Sequence, residues 1–130
     1  MQTVGYIDVE KYRCIADDII TDEVIITSER IEHIAERRGE EFYEKYSPYF
    51  SEILTDPDYI FPDNHENTAI VCKVVGEKEN AVNLILRLAV SGEDPKYKNS
   101  ILTAIKENKR RFAQRLRNNT PVYKKIDSTE

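Results

Sequence analysis

The chain has 130 residues, 33% of them charged and 40% hydrophobic, with a net charge of -5 at neutral pH. That length fits one domain around a single core, spanning 1–130 with its packed part over about 5–125, and the apolar content argues against disorder. No apolar run approaches the roughly 20 residues that cross a bilayer, and MQTVGYIDVEKY lacks the basic start and apolar block of a signal peptide, so a cytoplasmic protein without membrane contact is expected.

In chain order, DVEKYRCIADD (8–18) reads as weak helix and EVIIT (23–27) as a β-branched run, either strand or extended lead-in. Thr27 or Ser28 caps the next helix, SERIEHIAERR, with Glu29 and Glu32 in its first turn, where the helix dipole favours acids. Gly39 interrupts that helix and EEFYEKY continues it. Ser47-Pro48 is a second start signal, placing PYFSEILT in another helix.

Asp56-Pro57-Asp58 reads as a turn, YIF as a strand and PDNHEN (62–67) as a loop. From there the period is that of sheet: TAIVCKVV (68–75), GEKEN as a hairpin connection, then AVNLILRLAV (81–90). In the last run Val82, Leu84, Leu86, Leu88 and Val90 face one way, Asn83 and Arg87 the other. SGEDPKYKN is a polar turn region and SILTAIK (100–106) a third strand. ENKRRFAQRLRNN forms a basic helix with Phe112 and Leu116 one turn apart, and PVYKK (121–125) closes as an edge strand, since its proline cannot sit centrally. The class is α+β: N-terminal helices on one face of a roughly four-stranded antiparallel sheet, the other face partly available, with a basic helix before the last strand.

Charge is distributed unevenly. Residues 1–95 carry 9 basic and 21 acidic side chains, a net -12, whereas 96–125 carry 10 basic and 1 acidic, a net +9. A solvated basic helix balancing an acidic front half explains this as well as an anion-binding surface does. Cys14 and Cys72 stand apart from each other and from any His-rich spacing, so they read as buried thiols, and no metal site is expected from two Cys and two His. Phosphate loops, GxSxG, HExxH and CxxC are all absent, and no cofactor is implied.

Three groups of residues could carry chemistry. Arg30, His33 and Arg37 share one helical face at i, i+3 and i+7, and two flanking arginines would favour a neutral histidine able to act as a base; a plain surface histidine beside Glu29 and Glu32 is the competing reading. Lys96, Lys98, Lys106, Lys109, Arg110 and Arg111 surround a strand carrying Ser100 and Thr103, suited to phosphate. A regular strand sends Ser100 and Thr103 to opposite faces, so only one lines a given site unless a bulge intervenes. Tyr123, with Lys124 beside it, offers a ring for a base or a phenol for a phosphate, although most of eight tyrosines serve packing. His65, in a loop, reads as solvated.

The order "GYIDVEKY", "TDEVIITSERIEHIAERR", "DPDYIF", a two-stranded meander, "NSILTAIK" and "VYKK" resembles the phage-associated nuclease-like domains of the barnase-EndoU-colicin-RelE group, over about residues 5–125. The resemblance implies metal-independent RNA cleavage on helices followed by a four-stranded antiparallel sheet. Carried over, it places catalytic roles on Arg30 and His33, Ser100 and Thr103, and Tyr123; the charge pattern itself, apart from the resemblance, marks Arg37, Lys98, Lys106, Lys109, Arg110 and Lys124 as nucleic-acid contacts. It further implies RNA as partner and a possible phage structural protein or inhibitor. Members often have a second histidine where this chain has Arg38, which puts the chemistry in question. A nucleic-acid-binding or virion-accessory module without catalysis is the rival reading, and a protein-interaction domain recognising an acidic partner is a third. Under the catalytic reading His33, Ser100 or Thr103, and Tyr123 should converge on one cleft.

Overall fold

A computed structural model describes residues 1–76 and 80–126. The elements are β1 (Gln2–Tyr6), α1 (Val9–Tyr12), β2 (Glu23–Ile26), α2 (Ser28–Arg38), α3 (Glu40–Tyr46), a 3-10 turn (Ser47–Tyr49), α4 (Phe50–Thr55), β3 (Tyr59–Pro62), β4 (Thr68–Val75), β5 (Asn80–Arg87), β6 (Asn99–Glu107), α5 (Lys109–Asn118) and β7 (Tyr123–Lys124). The strands form one sheet in the order β1-β2-β6-β5-β4-β3-β7.

The α+β class holds, but the sheet is seven-stranded and mixed rather than four-stranded and antiparallel. The expected strands β3 to β7 are present, and two more lie at the N-terminus. EVII is strand and pairs in parallel with the start of β6, while β1 pairs antiparallel with β2 across a bulge between Thr3 and Gly5. Gly5 allows this edge strand to lie on α4, because a Cβ there would come within 2.7 Å of Ser51 Oγ. The helical reading of 8–18 shortens to Val9–Tyr12, with the Tyr12 hydroxyl donating to the Leu54 carbonyl at 2.7 Å. The GEKEN connection lies largely outside the described residues.

The two faces of the sheet are covered by different elements. Val82, Leu84, Leu86, Leu88 and Val90 join Val24, Ile26, Ile34, Phe50, Ile53, Leu54 and Ile101 in the main core, under α2, α3 and α4. Burying so many large aliphatic side chains is the main term holding the helices on this face. On the other face α5 packs Phe112 and Leu116 against Phe61, Cys72, Ala81, Tyr59 and Ile70. The N-terminal helices thus take one face, and the basic helix covers part of the other. Cys72 is buried as read from the sequence, but Cys14 is exposed, because α1 ends before it and leaves it in a surface turn.

Candidate nucleic-acid interface

Thr27 caps α2, its hydroxyl accepting from the Arg30 amide at 3.2 Å, which fixes where the helix starts and so which residues face outward. Ile34 is buried and Ile31 and Ala35 are half-buried, so Arg30, His33 and Arg37 form an outward stripe. Arg30 and Arg37 are exposed and His33 is half-buried; among the described residues, neither ring nitrogen of His33 has a hydrogen bond or ion pair. Gly39 then ends α2 at φ +99°, a conformation open to glycine, and redirects the chain into α3.

That change of direction builds a cleft. The end of α2, the length of α3 and the end of β6 enclose about 510 Å³ lined by Arg37, Arg38, Glu41, Phe42, Lys45, Tyr46, Ile105 and Lys106. Among the described residues β2 reaches β6 only at Asn99 and Ser100, and no strand lies beside the later part of that β6 edge. Arg38 covers part of it, its Nε donating to the Ala104 carbonyl at 3.3 Å. Lys45 lies 5.4 Å from the centre of the Tyr46 ring. Four cations therefore meet one carboxylate, Glu41, and among the described residues none of the four has an acidic group at ion-pair distance. A cleft with unneutralised cations in an acidic protein is an anion site by electrostatics.

Ser100 and Thr103 lie elsewhere. In the β5–β6 ladder Ile85 pairs with Thr103 and Leu86 with Ile101, so Leu102 is the extra residue of a bulge. Ile101 and Ala104 keep to the helix-covered core, while the bulge returns Ser100 and Thr103 to one shared face, opposite α2. The expectation that only one of them can line a site is therefore corrected. On that face the Thr103 hydroxyl and Asn83 Oδ1 are buried and, among the described residues, have no hydrogen-bond partner. Next to them Asn83 Nδ2 and Arg115 both donate to Glu107, Arg115 Nε at 2.9 Å. Burial pushes the Glu107 carboxyl up, and the hydrogen bonds from Arg115 and Asn83 more than offset it, so its pKa is lowered.

Tyr123 is on β7, separated from β6 by β5, β4 and β3, and packs on the main core with Lys11 Nζ 6.0 Å from its ring centre. The expected convergence is thus corrected: His33 sits over the helix face, Ser100 and Thr103 on the opposite sheet face, and Tyr123 near the far edge. Of the expected phosphate contacts, Arg37 and Lys106 meet in the cleft. Lys98 pairs with Glu23 at 3.3 Å, Lys109 and Arg110 open α5, and Lys124 lies beside Tyr59 across the β3–β7 ladder. His65 is exposed, its Nδ1 2.8 Å from Asp63 Oδ2.

A family model described as phage-Barnase-EndoU-ColicinE5/D-RelE like nuclease 2 matches residues 1–124. The chain belongs to that family. Compared with curated proteins and with solved structures, it finds no significant match. The family's nuclease-like domain therefore accounts for nearly the whole described fold. No helix among the described residues is long and apolar enough to cross a membrane. Of the charged cleft residues, Glu41 and Lys45 were missed from the sequence, and Arg38 was marked there only as the residue in place of a second histidine; the signal for the cleft was Gly39, whose positive φ turns a run of two consecutive helices into two walls.

Proposed function

We propose that this nuclease-family domain binds RNA phosphates in the cleft of Arg37, Arg38, Lys45 and Lys106 and cleaves the strand without a metal. The observation that carries the reading is the convergence of four cations on one cleft in a chain of net charge -5. His33 stands one helical turn before Arg37 on the same stripe, about 6 Å between Cβ atoms by helix geometry. Its free ring nitrogen takes the ribose 2'-OH proton. The 2'-oxygen forms a bond to phosphorus, the bond to the 5'-oxygen breaks, and that oxygen takes a proton from solvent, leaving a 2',3'-cyclic phosphate and a 5'-hydroxyl. Arg37 and Lys106 hold the phosphoryl oxygens as charge builds on them, with Arg30 contacting the neighbouring phosphate.

The test is to incubate a mixed-sequence RNA and the corresponding DNA with the purified chain in EDTA and identify the ends. RNA products with cyclic phosphate and intact DNA are expected; DNA cut at a comparable rate, or products with 5'-phosphate, would overturn the mechanism. A binding module without catalysis is favoured by one observation: His33 does not itself line the cleft and has no hydrogen bond orienting it. Salt-dependent RNA binding with no products would select that reading.

A further inference from the structure

A second cavity, of about 420 Å³, opens on the opposite face of the sheet, lined by Asp58, Tyr59, Val74, Phe112 and Lys125. Its floor is aromatic. The Tyr59 ring lies 5.6 Å from Phe112 and 6.2 Å, nearly parallel, from Phe61. Phe112 lines the cavity beside Tyr59, and Phe61 is buried against the same ring, so the half-buried tyrosine is packed between two aromatic neighbours. Val74, the second-last residue of β4, is 39% exposed on the rim. Asp58 forms a fixed wall: its Oδ2 accepts from the Val74 amide at 2.9 Å.

Charge identifies what fits there. Lys124 is the cross-strand partner of Tyr59, on the same face, and among the described residues it has no ion pair. A planar apolar floor beside an unneutralised cation matches a nucleotide, whose base stacks while its phosphate meets the lysine. We infer that Tyr59 and Phe112 form a stacking subsite for one nucleobase of a bound RNA, with Lys124 holding the adjoining phosphate. This rests on the RNA reading for its ligand class but uses none of the cleft residues. The two sites lie toward the same end of the sheet, since Val74 pairs with Ala81 and Ala81 with Glu107, next to Lys106 of the cleft.

The experiment is titration of the ¹⁵N-labelled full chain with the four ribonucleosides, which carry no phosphate, and with ribose 5-phosphate. Nucleosides should shift the Tyr59, Val74, Phe112 and Lys125 amides, and ribose 5-phosphate should not. Val74→Phe, which fills the opening from an exposed position, should abolish those shifts, and Tyr59→Leu should weaken nucleoside binding by about tenfold. No shift with any nucleoside, equal shifts with ribose 5-phosphate, or binding indifferent to Val74→Phe would overturn the subsite. Cleavage of RNA without nucleoside binding here would remove this inference alone; nucleoside binding without cleavage would leave it standing and remove the catalytic reading.

Discussion

Two groups of cations in this molecule have opposite surroundings. Lys73, with 10% of its side chain exposed, donates to the Asp56 carbonyl at 2.9 Å and lies 3.2 Å from Asp56 Oδ2, 3.6 Å from Asp58 and 3.8 Å from Glu52. Lys125 closes the same group through Asp56 at 2.8 Å. Both lysines there have carboxylate partners, two cations among three acids, and the cluster ties the chain around α4, β3, β4 and β7 together. In the cleft, Arg37, Lys45 and Lys106 face solvent and one carboxylate, while Arg38 is tied to a backbone carbonyl and Lys45 lies over the Tyr46 ring. A buried lysine held by several acceptors serves the fold, because its ammonium group needs those partners once it is out of water. Exposed, unmatched charge costs little to keep and is available to a ligand.

The contrast predicts separable effects. The largest should come from His33→Ala: cleavage falls by roughly 10²- to 10⁴-fold, the usual worth of a general base, while the melting temperature stays put, since no hydrogen bond is lost. An inactive variant that has also lost stability would instead make His33 a structural residue. Lys73→Met should do the reverse, costing about 1–2 kcal/mol in a denaturant titration by removing the hydrogen bond to the Asp56 carbonyl and ion pairs to partly exposed carboxylates, and leaving RNA affinity unchanged. Between these, Gly39→Ala should cost about 1–3 kcal/mol, because a Cβ is strained at that backbone conformation, and should weaken RNA binding as the α2–α3 angle relaxes. Weakened stability with unaltered RNA binding would show that the cleft does not depend on the glycine.

Acid offers a milder probe of the paired side. Asp56 is held below the usual carboxylate range by the Lys125 hydrogen bond first and then by Lys73, and Glu107 is lowered as well. A carboxyl whose folded pKa is depressed contributes stability above its unfolded pKa, near 4, and loses it as pH falls through the folded value. Melting temperature should therefore hold to about pH 5 and drop below about pH 4, less steeply in Glu107→Gln. Identical acid profiles for wild type and variant would show that Glu107 has no part in the acid response.

How far these features were legible depends on the range of the interaction. The alternation of Val82, Leu84 and Leu86 and the Phe112–Leu116 pair are local patterns, and both faces of the sheet derive from them. β1 was missed because QTVGY is short, half exposed and broken by a glycine that makes sense only against Ser51. The parallel β2–β6 pairing joins residues far apart in sequence, which no local period encodes. The stripe of Arg30, His33 and Arg37 was readable from helical spacing, whereas the position of Ser100 relative to Thr103 turned on a single extra residue, Leu102. Lys45 and Arg38 became cleft residues only through the turn at Gly39.

The most direct test of the cleft is binding of a 2'-O-methyl RNA, which cannot be cleaved, measured against salt for wild type, Arg37→Ala/Lys106→Ala and Lys73→Met. At about 0.7 per phosphate contact on a single strand, the double variant should lower the log–log slope by about 1.4, and Lys73→Met should leave it unchanged. An unaltered slope in the double variant, or an equal fall in Lys73→Met, would contradict the assignment of RNA to the unpaired cations.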